Sequence, residues 1–372
     1  MEFLENTTTL ERQLFAHANQ HLAPINGSIE LLPLCNMKCD MCYVRMETAE
    51  VQKMGGLRSA DEWISVAKEM KDAGVLFLLL TGGEPFLYPE FRKLYLELLK
   101  LGFIVTINTN ATLIDEDLAL FLGTHKPRRI NVTLYGSNEE IYQQLCHYPK
   151  GFQKTIHGIR LLQEQHIDVK ISGSLAKNNI DDIENIIAIG ESLGAPVRID
   201  TYMMPAQRER TLPYPLQSRA TPEKAAELRI IALKREMGEK LFKDFLEESL
   251  QKAHSDHSIS HDCKMSCFAG KCSFTINWQG ELRPCVILTQ PSVSVFETGF
   301  YNAWKYIVEE TGKIRLHVKC GTCNLRSLCR TCAACALWEG GSYDALPEYM
   351  CRYAQKTFEI LETEASYIVS AQ

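Results

Sequence analysis

The sequence predicts an α/β protein: a partial, TIM-like (β/α)6 barrel followed by a smaller cysteine-rich α+β domain. Three observations predict it. Six short apolar runs alternate with stretches that carry a single apolar helical face. Polar and glycine-containing segments follow those runs, at the strand ends where such barrels carry their reactive groups. Of the fourteen cysteines, ten lie between Cys263 and Cys351.

The elements follow in chain order. Residues 1–27 read as an N-terminal extension in which Leu4, Leu10, Leu14 and Phe15 share one helical face. The barrel spans 28–204. Its first apolar run is Ile29 to Leu34. Ser59 to Glu62 has the form of a capping box, and Gly74 stops the helix that it opens. Val75 to Leu80 is a buried strand. Phe91, Leu94, Tyr95, Leu98 and Leu99 recur at helical spacing. Strands are expected at Phe103–Ile107, Ile130–Leu134, Val169–Gly173 and Val197–Tyr202, and helices at 115–122, 139–145, 152–163 and 183–193. Parallel strands with outer helices then wind toward a barrel by right-handed crossovers. Residues 205–262 form a helical bridge, opened by Thr221 as N-cap and Pro222 at the first helical position. His254, His257 and His261 read as solvated loop residues. Residues 263–372 form the cysteine-rich domain.

Composition narrows the function. Apolar content is 45%, charged content 23% and net charge −6, which disfavours a nucleic-acid partner held by a basic surface. No apolar run is long enough to span a bilayer. The start of the sequence lacks a cationic signal region. A cytoplasmic protein is expected, and there ordinary thiols stay reduced. So many cysteines point to metal or cluster ligation.

Cys35, Cys39 and Cys42 sit within eight residues, with Tyr43 directly after them. Three thiolates on one tight loop suit a cubane iron–sulfur cluster with one iron left open. Zinc prefers four ligands, often in C-x2-C pairs. The spacing resembles the radical S-adenosylmethionine (SAM) superfamily. The resemblance implies a [4Fe–4S] cluster on Cys35, Cys39 and Cys42, SAM chelated at the open iron, and a 5′-deoxyadenosyl radical that abstracts hydrogen. The segment Gly82-Gly83-Glu84, one strand later, looks like the motif that holds the SAM amino group. Glycines there also let backbone approach closely. Asn110, Thr133 and Ser172, near the ends of strands three, four and five, resemble positions that contact the ribose or carboxylate of SAM. Capping of strand and helix ends is the competing reading for these three.

The late cysteines resemble the SPASM domain, which carries two auxiliary clusters in many peptide-modifying radical SAM enzymes. The resemblance covers Cys267 to Cys351. It implies a first auxiliary [4Fe–4S] cluster on Cys267, Cys272, Cys285 and Cys332, and a second on Cys320, Cys323, Cys329 and Cys351. Two residues separate Cys329 from Cys332 where the family commonly has three before its last cysteine. Cys335 therefore competes with Cys332. Zinc pairing of Cys320/Cys323 with Cys329/Cys332 leaves a short intervening loop. A ferredoxin motif from Cys329 lacks its fourth cysteine at Glu339. Cys146, Cys263 and Cys335 are left over, and a buried inert thiol is the default for each.

The function implied is modification of a residue in a ribosomally made precursor peptide, by thioether formation, another cross-link or epimerisation. Flavodoxin or ferredoxin would supply electrons. Only 34 residues precede Cys35, so leader recognition is expected from a separate protein or the barrel surface. The alternatives are chemistry on a small molecule or haem precursor, and sulfatase-maturase-like formylglycine formation. Val286 and Ile287 after Cys285, where maturases resemble one another in carrying an aspartate, lower the last. A non-enzymatic electron carrier would have no use for the Gly82-Gly83-Glu84 clamp.

Overall fold

The computed structural model describes residues 9–255, 263–329 and 332–370. Six parallel strands form the barrel wall: β1 (Asn26–Glu30), β2 (Phe77–Thr81), β3 (Ile104–Thr109), β4 (Arg129–Leu134), β5 (Val169–Ser174) and β6 (Val197–Asp200). Helices lie between successive strands. The sheet does not end at β1. There β7 (Ser273–Ile276) pairs in parallel with β1, and β8 (Glu281–Arg283) and β9 (Val293–Ser294) continue it antiparallel. The order is β6-β5-β4-β3-β2-β1-β7-β8-β9, an open sheet whose two edges are not joined.

A parallel sheet covered on both faces usually carries continuous apolar runs. This one alternates instead. Ile29, Leu78, Leu80, Val105, Ile107, Ile130, Val132, Ile171 and Ile199 point outward and are buried against the helices. The intervening Ser28, Thr81, Thr106, Asn108, Asn131, Lys170 and Ser172 line a cavity of about 520 Å³ inside the barrel. The period-two pattern thus divides each strand into a packing face and a lumen face.

Local signals hold up well. Ser59 caps the helix Ala60–Asp72 and exchanges bonds with Glu62 as a full capping box, while Gly74 turns the chain at φ +94°. Phe91, Leu94, Tyr95 and Leu98 are buried on the helix Phe91–Lys100. Thr221 caps Pro222–His254, which is broken at Gly238 by its positive φ of 71°. Strand limits shift by a few residues. The first strand begins at Asn26, inside the expected extension, and ends at Glu30. Residues 31–34 instead run beyond it and accept hydrogen bonds from the Gly83 and Glu84 amides. The N-terminal face is narrower than expected: on the helix Thr9–His21, Phe15 is buried but Leu10 is 64% exposed, because the turn angle carries Leu10 away from Phe77. Leu4, His257 and His261 lie outside the described residues. His254 is exposed and faces Glu362. Among the described residues, no helix is long and apolar enough to cross a membrane.

Candidate active site

The Cys35–Cys42 loop is fastened at several points where β1 runs out. The Lys38 and Asp40 amides donate to the carbonyls of Cys146 and Leu145 (2.9 and 3.0 Å), at the end of the helix Glu139–Cys146. Arg208 donates to the carbonyls of Cys39 and Asp40. The Met37 amide donates to Cys35 Sγ (3.4 Å) and the Arg45 amide to Cys42 Sγ (3.3 Å). Such amide–sulfur bonds favour thiolates, the form that ligates metal.

The three thiols differ in surroundings. Burial pushes Cys35 up to about 12 and also raises Cys42. Cys39 is held below its ordinary range, chiefly by a hydrogen bond from the Cys146 thiol and further by the Tyr135 hydroxyl. Cys146, left over in the sequence, is thus a neighbour of a ligand candidate. Its C-terminal position on a helix packed beneath the loop is the only signal that marked it. Among the described residues, no three His, Cys, Asp or Glu side chains converge on a single-ion site. Three cysteines on one loop, two of them already receiving backbone amides, are the kind of donor set that a cubane with one open iron takes.

The Gly-Gly-Glu turn is built against this loop. A Cβ on Gly82 would stand 2.4 Å from the Leu32 carbonyl oxygen, and one on Gly83 2.1 Å from that of Leu34. Glycine is required there by backbone contact with residues 32–34. Glu84 is fully buried, and its carboxylate accepts from Thr109 Oγ1 (2.7 Å), the Asn110 amide (2.9 Å) and the Phe86 amide (3.3 Å). Burial nevertheless pushes its pKa up to about 7. Glu84 therefore stands under the end of β3 as a brace. Asn110 joins it to the cysteine loop: its Nδ2 donates to Asn36 Oδ1 (2.9 Å) and lies 3.8 Å from Cys35 Sγ. Thr112 closes the network, bonded to Asn110 and Asn36. Thr133 and Ser172 are direct partners across β4 and β5, and both sit on lumen-facing positions near the strand ends. Tyr43 lines the cavity with Cys285. Burial raises its phenol, Glu30, Cys42 and Cys285 add to that, and Arg210 opposes it.

The late cysteines fall into two neighbouring groups. Cys285, two residues beyond β8, accepts from the Leu288 amide (3.3 Å) and is pushed up to about 11 by burial, with the Cys332 and Cys267 thiols adding to it. Cys332 caps the helix Ala333–Gly340. The Cys335 thiol and the first amides of that helix draw it down to about 6. Cys335 is spent on Cys332, Tyr202 (2.7 Å) and Met204 (3.5 Å). In the second group, burial and then Cys263, Cys329, Cys351 and Cys323 raise Cys320 to about 11. Two placements depart from the expectation. Cys272 is fully buried with Phe15, Ala18, Ile25 and Phe77, because its position beside β7 turns it toward the N-terminal helix. It is not brought to Cys267, Cys285 and Cys332. Cys263, expected to be inert, joins the second group and accepts a hydrogen bond from Arg326 (3.1 Å).

An open parallel barrel with a three-cysteine loop beyond its first strand defines the class. Residues 29–188 match the Radical SAM superfamily. The cysteine-rich C-terminal region fits the SPASM type. Among curated relatives, the AdoMet-dependent heme synthase of Methanosarcina barkeri is 25% identical over 84% of this chain and 92% of its own. The subtilosin biosynthesis protein AlbA of Bacillus subtilis is 25% identical over 73% of this chain, which spans only 56% of AlbA. Among solved structures, SuiB of Streptococcus suis bound to its precursor peptide SuiA superposes with a TM-score of 0.66 at 18% identity, covering 92% of this chain and 80% of SuiB. Native anSMEcpe with bound AdoMet gives 0.67 at 18% identity, covering 93% of this chain and all of that one. These likenesses establish the fold.

Proposed function

We propose that this radical SAM enzyme modifies a residue of a ribosomally made precursor peptide, forming a thioether or other cross-link or an epimer. Cys35, Cys39 and Cys42 hold the [4Fe–4S] cluster. When bound, cluster and SAM supply the 5′-deoxyadenosyl radical that takes a hydrogen atom. Glu84, Thr109, Asn110 and Asn36 keep the loop in place. Tyr43, Gly82, Gly83, Asn110, Thr133 and Ser172 border the space for SAM. Two auxiliary clusters belong to the late groups: Cys267, Cys285 and Cys332 for the first, with Cys272 outside it, and Cys320, Cys323, Cys329 and Cys351 for the second. A flavodoxin or ferredoxin delivers the electron.

The observation that supports this reading is a SAM-type cysteine loop beyond β1 on the same sheet whose strands β7 and β8 lead into the late cysteines. Relatives concerned with peptide maturation support the substrate class. A second reading, chemistry on a haem precursor, is favoured by one fact: the chain spans nearly all of the heme synthase relative and about half of AlbA.

The test is anaerobic reconstitution followed by incubation with SAM and dithionite. Three four-iron clusters give about twelve iron atoms per chain, and 5′-deoxyadenosine is released. Mass spectrometry of a co-expressed precursor peptide, against an iron-porphyrin precursor, separates the two readings. Release of no 5′-deoxyadenosine by the loaded protein overturns both.

A further inference from the structure

Two arginines on one short segment beyond β6 are used differently. Arg208 is engaged with the carbonyls of Cys39 and Asp40 and faces Asp40 at 3.8 Å. Arg210, two residues on, has no hydrogen bond or ion pair among the described residues. It is half-buried, and its Nε is enclosed without an acceptor. Its guanidinium lies 4.3 Å over the ring of Trp338. The nearest charges do not balance it. Arg283, on β8, is a second cation close enough to depress Arg210, although burial is the larger cause. Arg283 itself is paired with Glu281. Glu30, the carboxylate on this side of the lumen, is pushed up to about 7 by burial, so near neutrality much of it carries no charge.

Half-buried guanidinium without a counter-charge is costly. Held over an indole, it has no other partner among the described residues and its guanidinium is available to an anion. The location says what the partner serves. Tyr43, which Arg210 faces, lines the lumen with Cys285. Arg210 thus lies between the first cysteine loop and the first late group. The SAM-directed candidate Ser172 lines the same cavity from β5, with Thr133 as its partner on β4.

We propose that Arg210, seated on Trp338 beside Arg283, binds a carboxylate of the substrate, so that the enzyme selects an acid-bearing substrate. This rests on the radical SAM reading and narrows its substrate class. Carboxylate and guanidinium form two parallel charge-assisted hydrogen bonds, which an amide of the same shape cannot match.

The probe is glutarate against its uncharged diamide, glutaramide, titrated by calorimetry into anaerobically reconstituted enzyme at constant ionic strength. Glutarate is expected to bind and glutaramide not. Arg210→Gln is expected to weaken glutarate at least about tenfold, and Arg210→Lys, which keeps charge and loses the fork, to fall between. Iron content, SAM affinity and substrate-free release of 5′-deoxyadenosine stay at wild-type levels in both. The proposal is overturned if the diacid and diamide bind alike, or if neither binds. It is equally overturned if Arg210→Lys or Arg210→Gln binds glutarate as wild type does. A rise in SAM dissociation constant in the variants gives the arginine to the cofactor instead. A shifted auxiliary-cluster potential with glutarate binding intact makes it a cluster counter-charge. Release of 5′-deoxyadenosine is scored separately, so failure of the radical SAM reading shows in the wild type alone.

Discussion

The two cysteine regions of this chain are built in opposite ways. The early loop is short, and nearly every polar group around it is committed: carbonyls at a helix end receive its amides, Arg208 clamps its middle, and Asn110 and Glu84 brace its first cysteine. The late cysteines are spread over almost ninety positions, two of them, Cys267 and Cys351, are exposed, and the thiols outnumber the ligands needed. A site that must present one open metal corner is held by backbone. Sites whose ligands close around a cluster can rely on the cluster to draw them together.

The sharpest way to break that contrast is Cys39→Ala. It is expected to abolish 5′-deoxyadenosine release while leaving about two thirds of the iron in place; an active variant would undo the assignment. Next, Cys285→Ala and Cys272→Ala should part company. The first is expected to lose about four iron atoms. The second should keep its iron and show only a packing loss of about 1 kcal/mol in denaturant melts. Equal iron loss would return Cys272 to the ligand set.

The brace beneath the early loop has a pH signature. Glu84 has a folded pKa raised to about 7 by burial, so the folded state holds its proton more tightly than the unfolded chain does. Its stabilisation is complete below about pH 4.5 and is lost as pH rises through about 7. Glu84→Gln has no such titration. The stability of wild type relative to Glu84→Gln should therefore shrink by about 2 kcal/mol between pH 5 and 7.5, read from paired thermal melts. A gap independent of pH would show that the carboxylate is ionised throughout. The smallest effect is at the N-terminal helix. Leu10→Ser should change stability by less than about 0.5 kcal/mol, whereas Phe15→Ala should cost about 3 kcal/mol.

What the sequence made legible follows the same divide. The six strands, the capping box at Ser59 and the helix start at Thr221 rest on local periodicity and turn chemistry, which a chain displays openly. The early loop is contiguous, so its three cysteines could be read together. Glu84 was visible as part of a motif, but its orientation was not, because that depends on Thr109 and Asn110 reaching it from the next strand. Cys272, Cys263 and Cys146 were misjudged or left aside for one reason. Their neighbours come from Phe15, Cys320 and Cys39, far away in the chain, and spacing alone does not report which way a side chain turns. Arg210 carried no signal at all until Trp338 and Arg283 stood beside it.

The parallel pairing of β7 with β1 has a bearing on how this architecture can be altered. The strand that bears the early cysteines at its tip shares its ladder with the strand that leads into the late ones. Their separation is thus a fixed lattice vector, indifferent to the long bridge of residues between them. Shortening or lengthening that bridge would leave any tunnelling distance between the two regions untouched. Removing the late region would instead strip β1 of a neighbour and leave a sticky edge.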